Sequence, residues 1–153
     1  MREVEIIRRS FRPQRITTLF VGESAPYGEN FFYRENSQVY AHMKEAFGGE
    51  KNFLEQFKAK GYFLDDLILQ PVNQMDRRIR RQLRFENITS LAERISDYRP
   101  ANVVILMMAI EPMVRDAVAK AGLSDCPVYA TPFPGNGQQR RFRLRMKEII
   151  PNL

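Results

Sequence analysis

Asn102-Val103-Val104-Ile105-Leu106-Met107-Met108 is the stretch whose reading decides the fold. Its apolar residues run on from Val103 without alternation, whereas a strand with one wet face alternates apolar and polar side chains. A strand in a parallel sheet covered on both faces has this unbroken character. A strand over 102–108 in the centre of a mainly parallel sheet is therefore expected. The apolar run ends at Ile110, far short of the ~20 residues that span a bilayer. At the N-terminus Arg2, Arg8 and Arg9 mix with Glu3 and Glu5, unlike a signal peptide. Neither a membrane span nor a signal peptide is expected.

Working outward, 111–121 reads as a helix stopped by Gly122, 128–130 as a short strand, 131–137 as a loop and 138–150 as a terminal helix. On the other side, 76–98 is helical in pattern with a break near 87–89, and Tyr62 to Leu69 is a strand. Upstream, Asn52 and Ser37 sit where helix caps belong, before helices ending near Lys60 and Phe47. Ile16 to Val21 is a β-rich run that ends at Gly22. Strands alternating with helices argue an α/β fold: three α/β/α layers around a mainly parallel sheet of about four strands. We expect one domain over 1–153, with 1–15 as an N-terminal arm. Such sheets bind ligands at the carboxyl ends of their strands.

The 153 residues suffice for a sizeable core. The lone cysteine, Cys126, excludes an internal disulfide and a Cys-ligated cluster from this chain, and fits a reducing, cytoplasmic setting. The net charge of +6 is unevenly placed. Arg77, Arg78, Arg80, Arg81 and Arg84 form one cluster, and Arg140, Arg141, Arg143, Arg145 and Lys147 another, with no acidic residue inside either. Without these ten cations the remaining chain carries −4. Arginine outnumbers lysine 18 to 6, and its planar fork suits phosphates and bases. The clusters fit a polyanion-facing surface or two solvated helix faces, and charge alone does not separate these.

Three loops, 22–36, 65–76 and 131–138, leave strand ends with unusual chemistry. Gly22-Glu23-Ser24-Ala25-Pro26-Tyr27-Gly28-Glu29-Asn30-Phe31-Phe32-Tyr33 combines glycines, carboxylates that can orient a water, and four aromatic rings that can stack on a base or plug the core. Thr131-Pro132-Phe133-Pro134-Gly135-Asn136-Gly137 offers a rigid turn and free amides before the last helix. His42 is the only histidine, so no histidine cluster for a metal exists, and neither GxxxxGK[ST] nor GxGxxG occurs. No metal or cofactor is expected.

The order of these loops, with Asp65 and Pro71 after the second strand and Thr-Pro-Phe-Pro after the last, resembles the uracil-DNA glycosylase superfamily over residues 16–145. The resemblance implies that Gly22, Glu23, Pro26 and Tyr27 form a water-activating motif and that Phe31 or Phe32 stacks on an extruded base. It also implies that Asp65 reads the base edge and that Thr131, Pro132, Phe133 and Pro134 grip the DNA and the leaving base. Ser24 lies within the first motif. Three features depart from the family pattern: Ser24 and Ala25 stand where some branches hold an Asp, leaving Glu23 as the nearest acidic residue, Asp65 stands in place of an Asn, and Thr131 in place of a His. A carboxylate accepts hydrogen bonds and cannot donate to a uracil carbonyl, so uracil is not the implied substrate.

The resulting expectation is a monomeric, DNA-facing protein that extrudes a base and hydrolyses its N-glycosidic bond without a metal. Glu23, Tyr27 and Thr131 would be catalytic, Gly22, Ser24, Pro26, Phe31, Phe32 and Asp65 would bind the base, and Pro132, Pro134, Asn136, Arg140, Arg141, Arg143 and Arg145 would meet nucleic acid. The alternatives are a non-catalytic nucleic-acid or nucleotide binder of the same fold and a small-molecule α/β enzyme. The first reading requires that the loops at 22–33, 65–71 and 131–137 converge on one cavity.

Overall fold

The computed structural model describes residues 2–153. Four strands, Thr18–Gly22 (β1), Tyr62–Asp66 (β2), Asn102–Ile105 (β3) and Val128–Ala130 (β4), form an all-parallel sheet in the order β2-β1-β3-β4. The described residues hold seven α-helices: Glu3–Ser10 (α1), Gln38–Ala46 (α2), Phe53–Ala59 (α3), Arg77–Glu86 (α4), Ile88–Tyr98 (α5), Glu111–Lys120 (α6) and Gln139–Ile149 (α7). The fold is α/β with three layers, and β3 is an interior strand as its sequence requires.

The sheet faces follow from strand alternation. On one, Phe20 meets Phe47, Phe57 and Tyr62 with ring centroids 5.2–6.1 Å apart, beneath α2 and α3, and α7 packs against α2. On the other, Phe63 meets Tyr98 of α5 edge-on at 5.6 Å, and α5 packs against α6. The Phe142, Met146 and Ile149 stripe of α7 is fully buried, while Leu144 stays exposed.

Local chemistry sets the boundaries. Ser37 Oγ accepts from the Tyr40 amide at 3.1 Å and Asp76 Oδ1 from the Ile79 amide at 3.0 Å, capping α2 and α4. Asn52 makes no side-chain cap bond. The helical pattern of 76–98 breaks at Asn87, between α4 and α5. Gly61 turns the chain into β2 with a positive φ, and a Cβ there would lie 2.8 Å from the Arg15 carbonyl oxygen.

Two expectations need correction. The strand expected over 102–108 stops at Ile105, because β4 offers pairing partners only to Val103–Ile105, and Met108–Ile110 turn into a short 3-10 helix. The strand expected over 62–69 stops at Asp66. Beyond it the Leu67 and Ile68 amides donate to the Gly22 and Glu23 carbonyls at 2.9 Å, which fastens the Glu23 loop. The N-terminal arm contains α1, with Glu3 and Glu5 in its first turn and Arg8 and Arg9 in its last, as the helix dipole favours, and it docks through Val4 and Arg8. No helix among the described residues is long and apolar enough to cross a membrane.

Candidate active site at the strand ends

Past the ends of β1, β2 and β3, and beside the loop that follows β4, the chain encloses an open cavity of about 600 Å³. One wall is the β1 loop, Gly22 to Pro26 with Asn30 to Phe32. A second is Leu64, Asp66 and Asn73, a third is Leu106 to Ala109, and a fourth is Phe133, Asn136 and Gln138. The start of α2, Ser37 to Val39, closes the remaining side. Parallel sheets make such a crevice because their loops leave the carboxyl edge together.

Two adjacent carboxylates on β2 part ways at this point. Asp66 shares the Leu64 face and lines the cavity, with Oδ2 accepting from Arg8 Nη2 at 2.9 Å. Gly22 lies opposite it, and a Cβ there would lie 2.6 Å from Asp66 Oδ1, so any larger residue would displace the carboxylate. Burial pushes the Asp66 carboxyl above its ordinary range; Arg8 opposes the shift and the neighbouring Asp65 charge adds to it. Asp65 turns to the opposite face and is 1% exposed. It pairs with Arg94 at 2.8 Å and Arg8 at 3.5 Å, and accepts from the Tyr98 hydroxyl at 2.6 Å. Burial pushes Asp65 up as well, but Arg8, Arg94, the Tyr98 hydroxyl and the Asp66 amide outweigh it and hold the carboxyl below its ordinary range. Asp65 therefore does not line the cavity and is not placed to read a base edge there; Asp66 is the β2 carboxylate that faces the cavity.

Arg8 ties the two together. Its guanidinium also pairs with Glu5, donates to the Leu64 carbonyl and lies 5.3 Å from the Phe31 ring centroid. Burial works against its charge, but Asp66, Asp65 and Glu5 more than offset that and raise its pKa.

The remaining expected residues divide. Gly22, Glu23, Ser24, Pro26, Phe31, Phe32 and Asn136 all line the cavity. Glu23 is half-buried and gripped by α4, pairing with Arg80 through Oε1 and with Arg84 through Oε2 at 2.6 Å. Phe31 and Phe32 are both buried core rings; Phe32 packs edge-on against Tyr33, Tyr40 and Phe53. They form wall and floor in place of a free stacking lid. Asn136, at positive φ, and Gln38 exchange two hydrogen bonds of 2.9 and 3.1 Å that pin the 135–137 turn to α2.

Others are corrected. Tyr27 is 47% exposed and outside the cavity, contributing only its amide, which donates to Asn73 Oδ1 at 2.9 Å. Thr131 is fully buried, and its hydroxyl donates to the Ile105 carbonyl at 3.0 Å, where it fastens the end of β4 to β3 and has no access to a leaving group. Pro132 and Pro134 shape the loop without lining the cavity; Phe133 is the residue of that motif that does. Arg143 pairs with Glu45, and Arg145 donates to the Ala130 carbonyl and pairs with Glu148. Arg140 and Arg141 are exposed and form no ion pair among the described residues.

Sequence reasoning missed Asp66, Gln38, Asn73, the 106–109 wall and Arg8. Two carboxylates in succession on a buried strand must face opposite layers, so one of the pair was bound to face the loops, but which one depends on the register with β1. Among the described residues no group of three or more His, Cys, Asp or Glu is arranged to hold a metal ion. No protein-family model matches the chain, and no curated protein matches it.

Proposed function

We propose that the protein takes an extruded nucleobase into the strand-end cavity and acts as a uracil-DNA-glycosylase-like N-glycosyl hydrolase on DNA. The observation that carries this reading is the convergence of the 22–32, 64–73 and 133–138 loops on one cavity, the arrangement the sequence resemblance requires. Its volume is ample for a base with its sugar, and its edge holds two carboxylates of different surroundings, a pattern that suits paired acid and base roles.

Glu23 serves as the base for water and Asp66 as the proton donor. Water oxygen bonds to the sugar C1′ as the N-glycosidic bond breaks, the water proton passes to Glu23, and the raised Asp66 carboxyl gives its proton to the departing base nitrogen. Arg80 and Arg84 aim Glu23, and Arg8 aims Asp66. Phe31 supplies the apolar wall for the ring.

A second reading, a non-catalytic binder of the same fold, draws on two observations. Thr131 offers no group to a leaving base, and both oxygens of Glu23 are already occupied by arginines. Excision from oligonucleotides carrying uracil, hypoxanthine, xanthine or an alkylated base separates the two. Wild-type release of one of these, reduced about 10²- to 10⁴-fold in Glu23→Gln and in Asp66→Asn with DNA binding retained, is the expected result. DNA binding without release of any base supports the binder instead.

A further inference from the structure

Helix α4 inverts the usual helix pattern. Residues at i, i+3, i+4 and i+7 share one face, ordinarily the apolar stripe that meets the core. In α4 those positions are Arg77, Arg80, Arg81 and Arg84, and the helix has no buried residue. Arg77 and Arg81 are exposed and Arg80 and Arg84 half-buried, and with Ala109 the four line an open cleft of about 380 Å³. Ala109 also lines the strand-end cavity, so the two spaces are neighbours across that residue.

The charges in the cleft are not balanced. Glu23 meets Arg80 and Arg84, while Arg77 and Arg81 have no ion-pair partner among the described residues. Arg80 Nε is buried without any acceptor. A buried guanidinium donor without a partner is costly, and the exposed Arg77 and Arg81 leave the cleft with a net positive charge that an anion can neutralise. The planar fork fits the tetrahedral oxygens of a phosphate better than those of a diffuse counterion.

We propose that this cleft is a phosphate-binding site and that Arg77 and Arg81 hold a phosphate of the nucleic-acid strand whose base enters the neighbouring cavity. The strand assignment rests on the base-binding reading above; the phosphate site does not. Its position across Ala109 places the phosphate on the cavity rim, with the Glu23 carboxylate between it and the base.

The test uses the full chain, Arg77→Gln/Arg81→Gln and two probes: inorganic pyrophosphate by calorimetry, and a 12-nucleotide single-stranded DNA titrated across salt. Both side chains are exposed, so thermal melting of the variant should match wild type. The expected result is pyrophosphate binding weakened about tenfold or more, with the slope of log affinity against log salt flattened by about one. Equal pyrophosphate binding by wild type and variant, or none by wild type, overturns the phosphate site. If wild type binds DNA and the slope is unchanged in the variant, the strand assignment is overturned while the base-binding reading stands. If wild type binds no DNA at about 50 mM salt but the variant loses pyrophosphate, the phosphate site is upheld and the base-binding reading falls.

Discussion

The two faces of the sheet at the end of β2 differ in what surrounds a carboxylate. Behind the sheet, Asp65 is closed in by Arg8, Arg94 and Tyr98 until no oxygen is free for a ligand. In front, Asp66 has Arg8 on one oxygen and a cavity beside it. Neighbouring residues of one type thus have different surroundings: both oxygens of Asp65 are tied into the structure, whereas Asp66 keeps one oxygen free of side-chain partners beside an open space.

The largest expected effect is on the closed face. Asp65→Ala strands Arg94 and part of Arg8 without their partner in a buried site, and breaking such a network costs about 3–5 kcal/mol. Chemical denaturation measures it. A loss under about 1 kcal/mol would show that the two faces do not differ as described.

The open face should respond with the opposite sign. Asp66 has its native pKa raised above the ordinary 3.8, so the folded state binds the extra proton and stability falls as pH rises from that ordinary value through the raised native one. Asp65, with its native pKa lowered, contributes stability that is present above its ordinary value and lost as pH falls through the native one. Asp66→Asn should therefore abolish the decline above the ordinary carboxylate range without loss of stability at neutral pH. Stability curves against pH for wild type and variant check this, and an unchanged decline would assign it to another group.

How much of this was legible beforehand follows from the same pair. Val103 to Ile105 and the strand-helix alternation specify a covered parallel sheet, and Gly22-Glu23 marks the loop that lines the cavity, because both depend on local pattern. Which of Asp65 and Asp66 faces the loops depends on pairing Val21 with Asp65 and Gly22 with Asp66, a long-range register that spacing along the chain does not carry. Thr131 misled for a related reason: its loop position suggested chemistry, but its amide and its hydroxyl both donate to the Ile105 carbonyl and are turned into the sheet.

The arginine clusters repeat the lesson on a smaller scale. Sequence makes 77–84 and 140–147 look alike, yet α4 turns a four-arginine stripe to a cleft, while α7 spends Arg143 and Arg145 on Glu45, Glu148 and the Ala130 carbonyl. Arg143→Gln/Arg145→Gln should change the salt slope of DNA binding by less than about 0.5, against about one for the α4 pair. Equal slopes would remove the distinction.

Whether a base enters the cavity is tested most directly by the fluorescence of 2-aminopurine placed in a duplex oligonucleotide, which rises when the base leaves the stack. Wild type should raise the signal saturably, and Val39→Trp, which fills the α2 side of the cavity, should bind the same duplex and leave the signal low. An equal rise with Val39→Trp, or duplex binding by wild type with no rise, would contradict base capture in this cavity.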